Sequence, residues 1–271
     1  MNERRRAFLA DEHDAAIVEH GYVVVDDFLT ADQVRELHHL LERSVPLDRD
    51  GLVFSNMIAD PEVRGRVEDG IGAVVGPALL ALLDDYRLAA SLFVLKQPDD
   101  MSARIWHADP ALVDERRYTS ISAWCPLIDV DEDNGAFTVM EGSHRTVPVV
   151  RGGERIQGLL FPSEQETEAL CEGDRVPIRL RAGQALLYEH RLAHGSPINR
   201  SGRRRWAVNV PAIPSEAPLI HYIRQADGDI DVYRLPDRYF YGHDAAIPMV
   251  EDPRAQRIAT IERSTGEWIP A

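Results

Sequence analysis

Short runs of alternating apolar and polar residues follow one another from about residue 88 to about residue 215. Two of them are ARIWHAD and QALLYEH. Turn signals separate the runs, namely Asp133-Asn134-Gly135, Glu141-Gly142-Ser143 and Arg181-Ala182-Gly183. Because side chains of a strand alternate between two faces, this pattern predicts many short strands. A chain of this kind folds as a sandwich, a jelly roll or a barrel.

The part of the chain before residue 88 has a mixed, mostly helical pattern. Residues 11–19 predict a short helix that ends near Gly21, and YVVVDDFL at 22–29 predicts a strand. Thr30 starts a capping box with the glutamine three residues later, which predicts a helix start. A second helical stretch is predicted over 61–85, with a break near Gly76-Pro77.

We therefore predict a mainly β protein with flanking helices, in which N-terminal helices pack on a double-stranded β core of the jelly-roll, cupin-like kind. Neither a repeat nor a long linker divides the sequence, so we expect a single domain over 1–271. Within it we expect a helical support over about 1–87, a β core over about 88–215 and a C-terminal covering segment over 216–271.

Charge and composition exclude several classes of function. The chain has 30 Lys+Arg against 45 Asp+Glu, a net charge of −15, which disfavours nucleic acid and anionic membranes as partners. No apolar run is long enough to span a bilayer, and Cys125 and Cys171 do not make a disulfide framework. These features predict a cytoplasmic protein without a membrane segment.

His107 and Asp109 form a possible metal-binding pair at the end of ARIWHAD. Residues two apart on a strand point to the same face, so the imidazole and the carboxylate would be directed together. This pair suits Fe(II), Mn(II) or Zn(II). The pair needs a third ligand from another segment.

The best source of that ligand is the segment 186–209, which contains His190 and His194. In an extended chain these two histidines are too far apart to share one metal, so we choose His194, which precedes Gly195-Ser196. Arg205 follows eleven positions later and suits bidentate binding of a carboxylate. Two histidines, one carboxylate and an arginine fit a non-haem Fe(II) oxygenase with a keto-acid co-substrate.

At this point the sequence resembles the phytanoyl-CoA dioxygenase family of Fe(II)/2-oxoglutarate-dependent oxygenases. The matching pieces are HGYVVVDDFL (20–29), WHAD (106–109), SAWCPLIDVDEDNGAFTVMEGSH (122–144) and RAGQALLYEHRLAHGSPINRSGRRR (181–205). They follow the family's order and roughly its spacing. The resemblance implies a double-stranded β-helix fold, in agreement with the strand pattern. It also implies that His107, Asp109 and His194 bind the iron.

The resemblance further implies residues that hold the co-substrate. Arg205 would bind the distal carboxylate of 2-oxoglutarate, with Arg203 as the second choice because both would share one strand face. Ser196 would bind the same carboxylate, and Trp124 would line its pocket. Lys96 is the only lysine of the chain, and we expect it to contact substrate or co-substrate.

The expected activity is hydroxylation of an unactivated C–H bond in a small-molecule substrate, using Fe(II), 2-oxoglutarate and O2 and releasing succinate and CO2. The same centre could instead catalyse desaturation, epoxidation or cyclisation in natural-product tailoring. Asp109 stands where related halogenases lack a carboxylate, so halogenation is not expected. A cupin-like Zn or Mn hydrolase or isomerase is a second possible function, and a non-catalytic binding protein is a third. The sequence does not predict the oligomeric state.

Overall fold

Strands make up most of the regular structure. The computed structural model describes residues 5–46, 48–152, 173–242 and 251–271, and Cys171 lies outside them. The helices are α1 Asp11–His20, α2 Ala31–Ser44, α3 Pro61–Leu80 and α4 Tyr239–Gly242. The strands are β1 Tyr22–Val25, β2 Leu52–Phe54, β3 Tyr86–Leu88, β4 Leu92–Lys96, β5 Arg104–His107, β6 Ile121–Pro126, β7 Phe137–Met140, β8 Arg175–Ile178, β9 Ala185–Glu189, β10 His194–Ser196, β11 Arg205–Pro214, β12 Ile220–Arg224, β13 Ile230–Arg234, β14 Gln256–Ile261 and β15 Trp268–Pro270.

Two antiparallel sheets form the centre of the protein. The major sheet has seven strands in the order β1-β9-β6-β11-β4-β2, with β3 paired to β11. The minor sheet has four strands in the order β5-β10-β7-β8. The predicted mainly β, jelly-roll type of fold with N-terminal helices is thereby confirmed.

Each face of the major sheet packs against a different layer. Along β6, Ile121, Ala123 and Cys125 join the apolar cluster that contains the buried side chains of α2 and α3. Trp124 points to the other face and joins a cluster with residues of β7 and β8 in the minor sheet, including Phe137. The alternation in the sequence therefore separates a helix-covered outer face from an inner face between the sheets.

The start of α2 agrees with the signal in the sequence, but the interior and the end of α3 differ from the prediction. Thr30 accepts a hydrogen bond from the backbone N–H of Gln33, and the capping box is complete. α3 continues through Pro77 and ends at Leu80, so the predicted break near Gly76-Pro77 and the predicted end at residue 85 are wrong. The proline removes one hydrogen bond in the last turn, while Val74, Val75 and Leu79 are buried and keep that turn on the sheet.

The C-terminal part forms a third sheet, in which β12, β13, β14 and β15 pair in sequence order. Its buried residues, including Tyr222, cluster with Ala111. Val113 joins a second cluster that includes Tyr233 of β13. This sheet therefore packs beside the segment that follows Asp109. In the described ranges, none of the helices combines the length and apolar character that crossing a membrane requires.

Candidate metal centre

Three side chains meet where β5 and β10 pair. His107 is the last residue of β5, and its Cα lies opposite that of His194, the first residue of β10. Asp109 follows β5 by two residues, and its Oδ1 is 3.8 Å from the Nε2 atom of each histidine. One ligand atom from each residue lies within 4.8 Å of the others. The structure therefore brings the predicted triad together.

Backbone carbonyls fix the orientation of both histidine rings. Nδ1 of His107 is 2.9 Å from the carbonyl oxygen of Ile105, and Nδ1 of His194 is 2.9 Å from that of Leu192. A carbonyl can only accept, so each Nδ1 carries the proton and each Nε2 keeps its lone pair. Phe137 stacks on His194 with ring centroids 4.6 Å apart. The two rings are thus held in the tautomer that a metal requires.

Asp109 is held by a tyrosine. The hydroxyl of Tyr188, in β9, donates to Oδ2 of Asp109 at 2.7 Å, and the backbone N–H of Asp109 donates to the carbonyl of His190 at 2.9 Å. Oδ2 is thereby engaged, and Oδ1 is the oxygen that faces the histidines. The carboxylate is arranged to offer one oxygen to a metal.

The electrostatics keep the triad in the form that binds a cation. Burial, and then the proximity of His194 and Arg104, lowers the pKa of His107 well below its usual value. Burial also lowers the pKa of His194. For Asp109, burial by itself raises the pKa, but the neighbouring histidines and the Tyr188 hydroxyl outweigh it and hold the pKa below its usual range. Near neutral pH the site presents two neutral imidazoles and one carboxylate.

His190, the alternative ligand in the sequence, does not join the triad. Its ring is buried, with Nε2 2.9 Å from the hydroxyl of Ser122 and Nδ1 3.1 Å from the carbonyl of Pro110. Because its backbone carbonyl accepts from Asp109, His190 supports the loop that carries the carboxylate.

Arg205 enters the same cavity as the triad. Its guanidinium carbon lies 5.1 Å from the centre of the Trp124 ring, and Nη1 donates to the carbonyl of Gly135 at 2.8 Å. Its Nε is buried and has no hydrogen-bond partner within the described part of the chain. Burial lowers the pKa of Arg205 to about 9, so the side chain is still charged at neutral pH. A buried guanidinium with a donor to spare is suited to an anionic ligand.

Two of the predicted co-substrate residues, Arg203 and Lys96, do not line this cavity. Arg203 is exposed in the loop before β11 and does not line the cavity. Lys96 is fully buried and pairs with Arg205 across β4 and β11, but its amine donates to the carbonyls of Pro197 and Ser196, at 2.5 and 3.4 Å. Burial and the charge of Arg205 lower the pKa of Lys96 to about 6. Its contacts brace the turn after Ser196.

The cavity has a volume of about 90 Å³ and opens to solvent at its mouth. Arg205, Ser196 and Trp124 line it together with the triad. The edge strands β2 and β5 supply Leu52, Phe54 and Arg104. The cavity therefore brings the triad, the predicted co-substrate residues and two sheet edges around one space.

Sequence reasoning missed two residues of this site. Tyr188 shares the inward face of β9 with Leu186, and strand alternation could have placed it there. Arg104 lies in the run that contains the predicted pair, but no periodicity directs it into the cavity. Its Nε donates to Nε2 of His107 at 3.2 Å.

A family comparison agrees with this geometry. The family model of phytanoyl-CoA dioxygenase (PhyH) matches residues 17–207, a range that contains the triad, Arg205, the minor sheet and the major sheet up to the start of β11. The chain belongs to the phytanoyl-CoA dioxygenase family. This is an enzyme family that depends on iron and 2-oxoglutarate, as the sequence resemblance indicated. A comparison with curated proteins found no match.

Solved structures share the fold of this family member at low identity. The epimerase SnoN, in complex with Fe3+, alpha ketoglutarate and nogalamycin RO, has a TM-score of 0.55 and 21% identity over 77% of this chain and 85% of its own. The carbocyclase SnoK from nogalamycin biosynthesis has a TM-score of 0.52 and 20% identity over 78% and 86%. HygX from Streptomyces hygroscopicus with iron bound has a TM-score of 0.53 and 16% identity over 77% and 88%.

Proposed function

We propose that this protein is a non-haem Fe(II)/2-oxoglutarate-dependent dioxygenase that hydroxylates an unactivated C–H bond of a small molecule. The observation that carries the proposal is the convergence of His107, Asp109 and His194 on one point of a cavity that also contains the buried Arg205. Two imidazoles and one carboxylate form the facial ligand set of such oxygenases. A redox-silent metal enzyme would not need the arginine.

The residues of the chain fit the groups that this chemistry requires. His107, Asp109 and His194 would hold Fe(II), with the two rings oriented by the carbonyls and the carboxylate by Tyr188. When bound, the iron with 2-oxoglutarate and O2 supplies the oxidising power, and succinate and CO2 are released.

The co-substrate would extend from the triad toward Arg205. The guanidinium of Arg205 and the hydroxyl of Ser196 would bind its distal carboxylate, with Trp124 as the neighbouring wall. Lys96 would act indirectly, because its amine holds the turn that carries Ser196. The protein's contribution is thus to position the target C–H bond and to exclude water.

The first test is anaerobic. Fe(II) and then 2-oxoglutarate are added to metal-free protein, and the visible metal-to-ligand charge-transfer band is recorded. We expect a band in the wild type, none in His107→Ala, and a requirement for about 100-fold more 2-oxoglutarate in Arg205→Gln, because a buried carboxylate loses its charged partner. Arg203→Gln, at an exposed arginine two residues before Arg205, should behave as the wild type.

The absence of a band, combined with tight binding of Zn(II) or Mn(II), would contradict the proposal and favour a hydrolase or isomerase. Analysis of the products then identifies which oxidation the enzyme catalyses. A gain of one oxygen atom in the product mass supports hydroxylation if the double bonds of the substrate are retained and epoxidation if one is lost, and a loss of two hydrogen atoms supports desaturation or cyclisation. The chemistries named for SnoN and SnoK, both associated with nogalamycin, make natural products of that kind sensible first substrates.

A further inference from the structure

A buried ion pair lies against the backbone of the loop that carries Asp109. Arg151 lies between β7 and β8, and Glu115 lies in the segment that follows Asp109. Nη1 and Nη2 of Arg151 donate to the two carboxylate oxygens of Glu115 at 2.6 and 2.8 Å. The two side chains are 0% and 2% exposed. The pair is therefore shielded from solvent, and its bidentate contact fixes the orientation of the guanidinium.

Other donors of Arg151 hold backbone carbonyls. Nε donates to the carbonyl of Asp109 at 2.9 Å, and Nη1 also donates to that of Pro148. The backbone carbonyl of Arg151 in turn accepts from the backbone N–H of Ala111 at 3.2 Å. Because the backbone N–H of Asp109 donates to the carbonyl of His190, the peptide groups on both sides of Asp109 are held.

Stability alone does not explain this ion pair. Burial removes the hydration of both charges, and apolar residues of similar size often stabilise a protein as well as a buried ion pair does. An arginine can bind a carboxylate through two nitrogens and still direct Nε at a third acceptor, which an apolar side chain cannot do. Here that acceptor is the carbonyl of Asp109, a residue of the triad.

We propose that Arg151 is a positioning residue for the metal centre. Glu115 orients its guanidinium, and Nε holds the backbone carbonyl of Asp109 so that the carboxylate faces the two histidines. The proposal rests on the proposed function, because it takes the triad to bind a divalent metal. Arg151 is not among the described residues that line the cavity, and it acts on the ligand through the backbone. Tyr188 holds the carboxylate of the same residue by a separate contact.

The test removes both charges of the pair at once. Arg151→Met alone leaves Glu115 buried without its partner and should lower Tm strongly. In the double variant with Arg151→Met and Glu115→Leu, most of that loss of Tm should be recovered. The hydrogen bond to Asp109 is still missing, so Fe(II) affinity should stay about 10-fold to 100-fold below that of the wild type. Anaerobic calorimetry with Fe(II) measures the affinity, and thermal unfolding measures Tm.

Arg64→Met is the matched control. Arg64, in α3, is another buried arginine that donates to backbone carbonyls, those of Ile58 at 2.6 Å and Ala59 at 3.0 Å. Its replacement should lower Tm and leave Fe(II) affinity unchanged. Arg151→Lys keeps a charge beside Glu115 without the planar fork that serves the carboxylate and the carbonyl together, so it should also bind Fe(II) more weakly. It carries the test if the double variant does not fold.

Wild-type Fe(II) affinity in the folded double variant, or in Arg151→Lys if that variant replaces it, overturns the proposal, since the pair would then support only the fold. An equal loss of Fe(II) affinity in Arg64→Met also overturns it. With Fe(II) saturating, the double variant should keep the 2-oxoglutarate affinity of the wild type, because Arg205 and Ser196 are unchanged. A loss of 2-oxoglutarate affinity without a loss of Fe(II) affinity contradicts the proposal.

The proposed function can fail separately. If the wild type shows no charge-transfer band with Fe(II) and 2-oxoglutarate, the oxygenase function is wrong. Calorimetry with Zn(II), which takes histidine and carboxylate ligands, then tests Arg151 in the same variants with the same expected loss of affinity.

Discussion

The hydroxyl of Tyr188 is the contact that selects which oxygen of Asp109 faces the histidines. Tyr188→Phe removes that hydrogen bond and keeps the ring that packs against Phe137. We expect Fe(II) affinity to fall by about 10-fold to 100-fold, the usual effect of losing a hydrogen bond behind a metal ligand. Anaerobic titration with Fe(II), followed by the charge-transfer band, measures the change.

Tyr86→Phe is the matched control for this prediction. It removes another tyrosine hydroxyl, which donates to the carbonyl of Thr119 at 2.9 Å within the helix-facing cluster. This variant should lose stability without losing iron affinity. Equal iron affinities of Tyr188→Phe and the wild type would show that Asp109 is positioned by its backbone alone.

Lys96 should make the stability of the protein depend on pH above neutrality. Its pKa falls from 10.5 to about 6 on folding because the amine is buried next to Arg205. Between these two values the unfolded chain binds one more proton at this site, so the free energy of unfolding rises with pH by about 1.4 kcal/mol for each pH unit. Below about pH 6 the folded chain carries the whole cost of burying the charge.

Lys96→Met removes this titration, and urea unfolding at a series of pH values between neutrality and about pH 9 measures the difference in slope. The free energy of unfolding of the variant should rise less steeply than that of the wild type. Parallel curves would mean that the amine keeps its charge in the fold, held by the carbonyls of Ser196 and Pro197.

Single residues show which parts of the site a sequence can predict. The spacing of His107 and Asp109 indicated a metal-binding pair, although Asp109 lies two residues beyond β5. His194 was chosen from the Gly195-Ser196 that follows it and from Arg205 eleven positions later, and its approach to His107 depends on the pairing of β5 with β10. Arg104 could not be predicted in this way. Its direction depends on a mismatch between two strands far apart in the sequence, and that mismatch leaves no mark in the local pattern.

The turn before β7 positions Arg205 through its backbone. The carbonyl of Gly135 accepts from Arg205, and Gly135 itself has a φ of +83°. A Cβ at this residue would lie 2.7 Å from the carbonyl oxygen of Pro197 and 2.9 Å from Cδ of Lys96. Gly135→Ala should therefore destabilise the protein by about 1 to 3 kcal/mol and weaken 2-oxoglutarate binding, because the carbonyl must move.

Gly202→Ala is the control that separates the effect of backbone strain from the effect of moving the Gly135 carbonyl. Gly202 has a φ of +70°, but a Cβ there would have no neighbour within 4 Å. This variant should lose stability by about 1 kcal/mol and keep its affinity for 2-oxoglutarate. Thermal unfolding and titration of the charge-transfer band give both quantities. If both variants lose the same affinity, flexibility of the loops rather than the Gly135 carbonyl controls Arg205.

For helices and strands, local sequence signals predicted where a helix starts and where the chain turns better than they predicted how long a helix is. The capping box at Thr30 and the turn at Asp133-Asn134-Gly135 are confirmed because each is stabilised by its own side chains and glycine. The predicted break in the helix near Gly76-Pro77 was wrong, because packing of the last turn of α3 on the sheet outweighs the hydrogen bond that Pro77 removes. Tertiary packing, which decided that case, is not visible in a single sequence.

The whole molecule can be understood as two sheets with the triad at their junction. The alternating runs predicted the sheet-rich fold, because each strand has one face for the helices and one for the opposite sheet. They did not predict that residues after β11 form a further sheet beside the segment that follows Asp109. That arrangement depends on contacts between distant strands.

Because the three ligand residues connect β5, the loop after it and β10, metal binding should stabilise the entire fold. A ligand that binds only the folded state at about 100 times its Kd adds about 2.7 kcal/mol to the free energy of unfolding. For a domain of this size, we expect Fe(II) to raise Tm by about 5 to 10 °C and a chelator to reverse the rise. Anaerobic thermal unfolding with and without chelator measures this shift.

Two variants show whether the shift comes from the triad. His107→Ala removes one of the three ligands and should lose most of the stabilisation by metal, since a site with two ligands binds more weakly. Arg205→Gln keeps the triad, so it should retain the shift with Fe(II) and lose only the additional shift that 2-oxoglutarate produces. An unchanged metal shift in His107→Ala would place the stabilising ion elsewhere and would separate the fold's stability from its proposed iron centre.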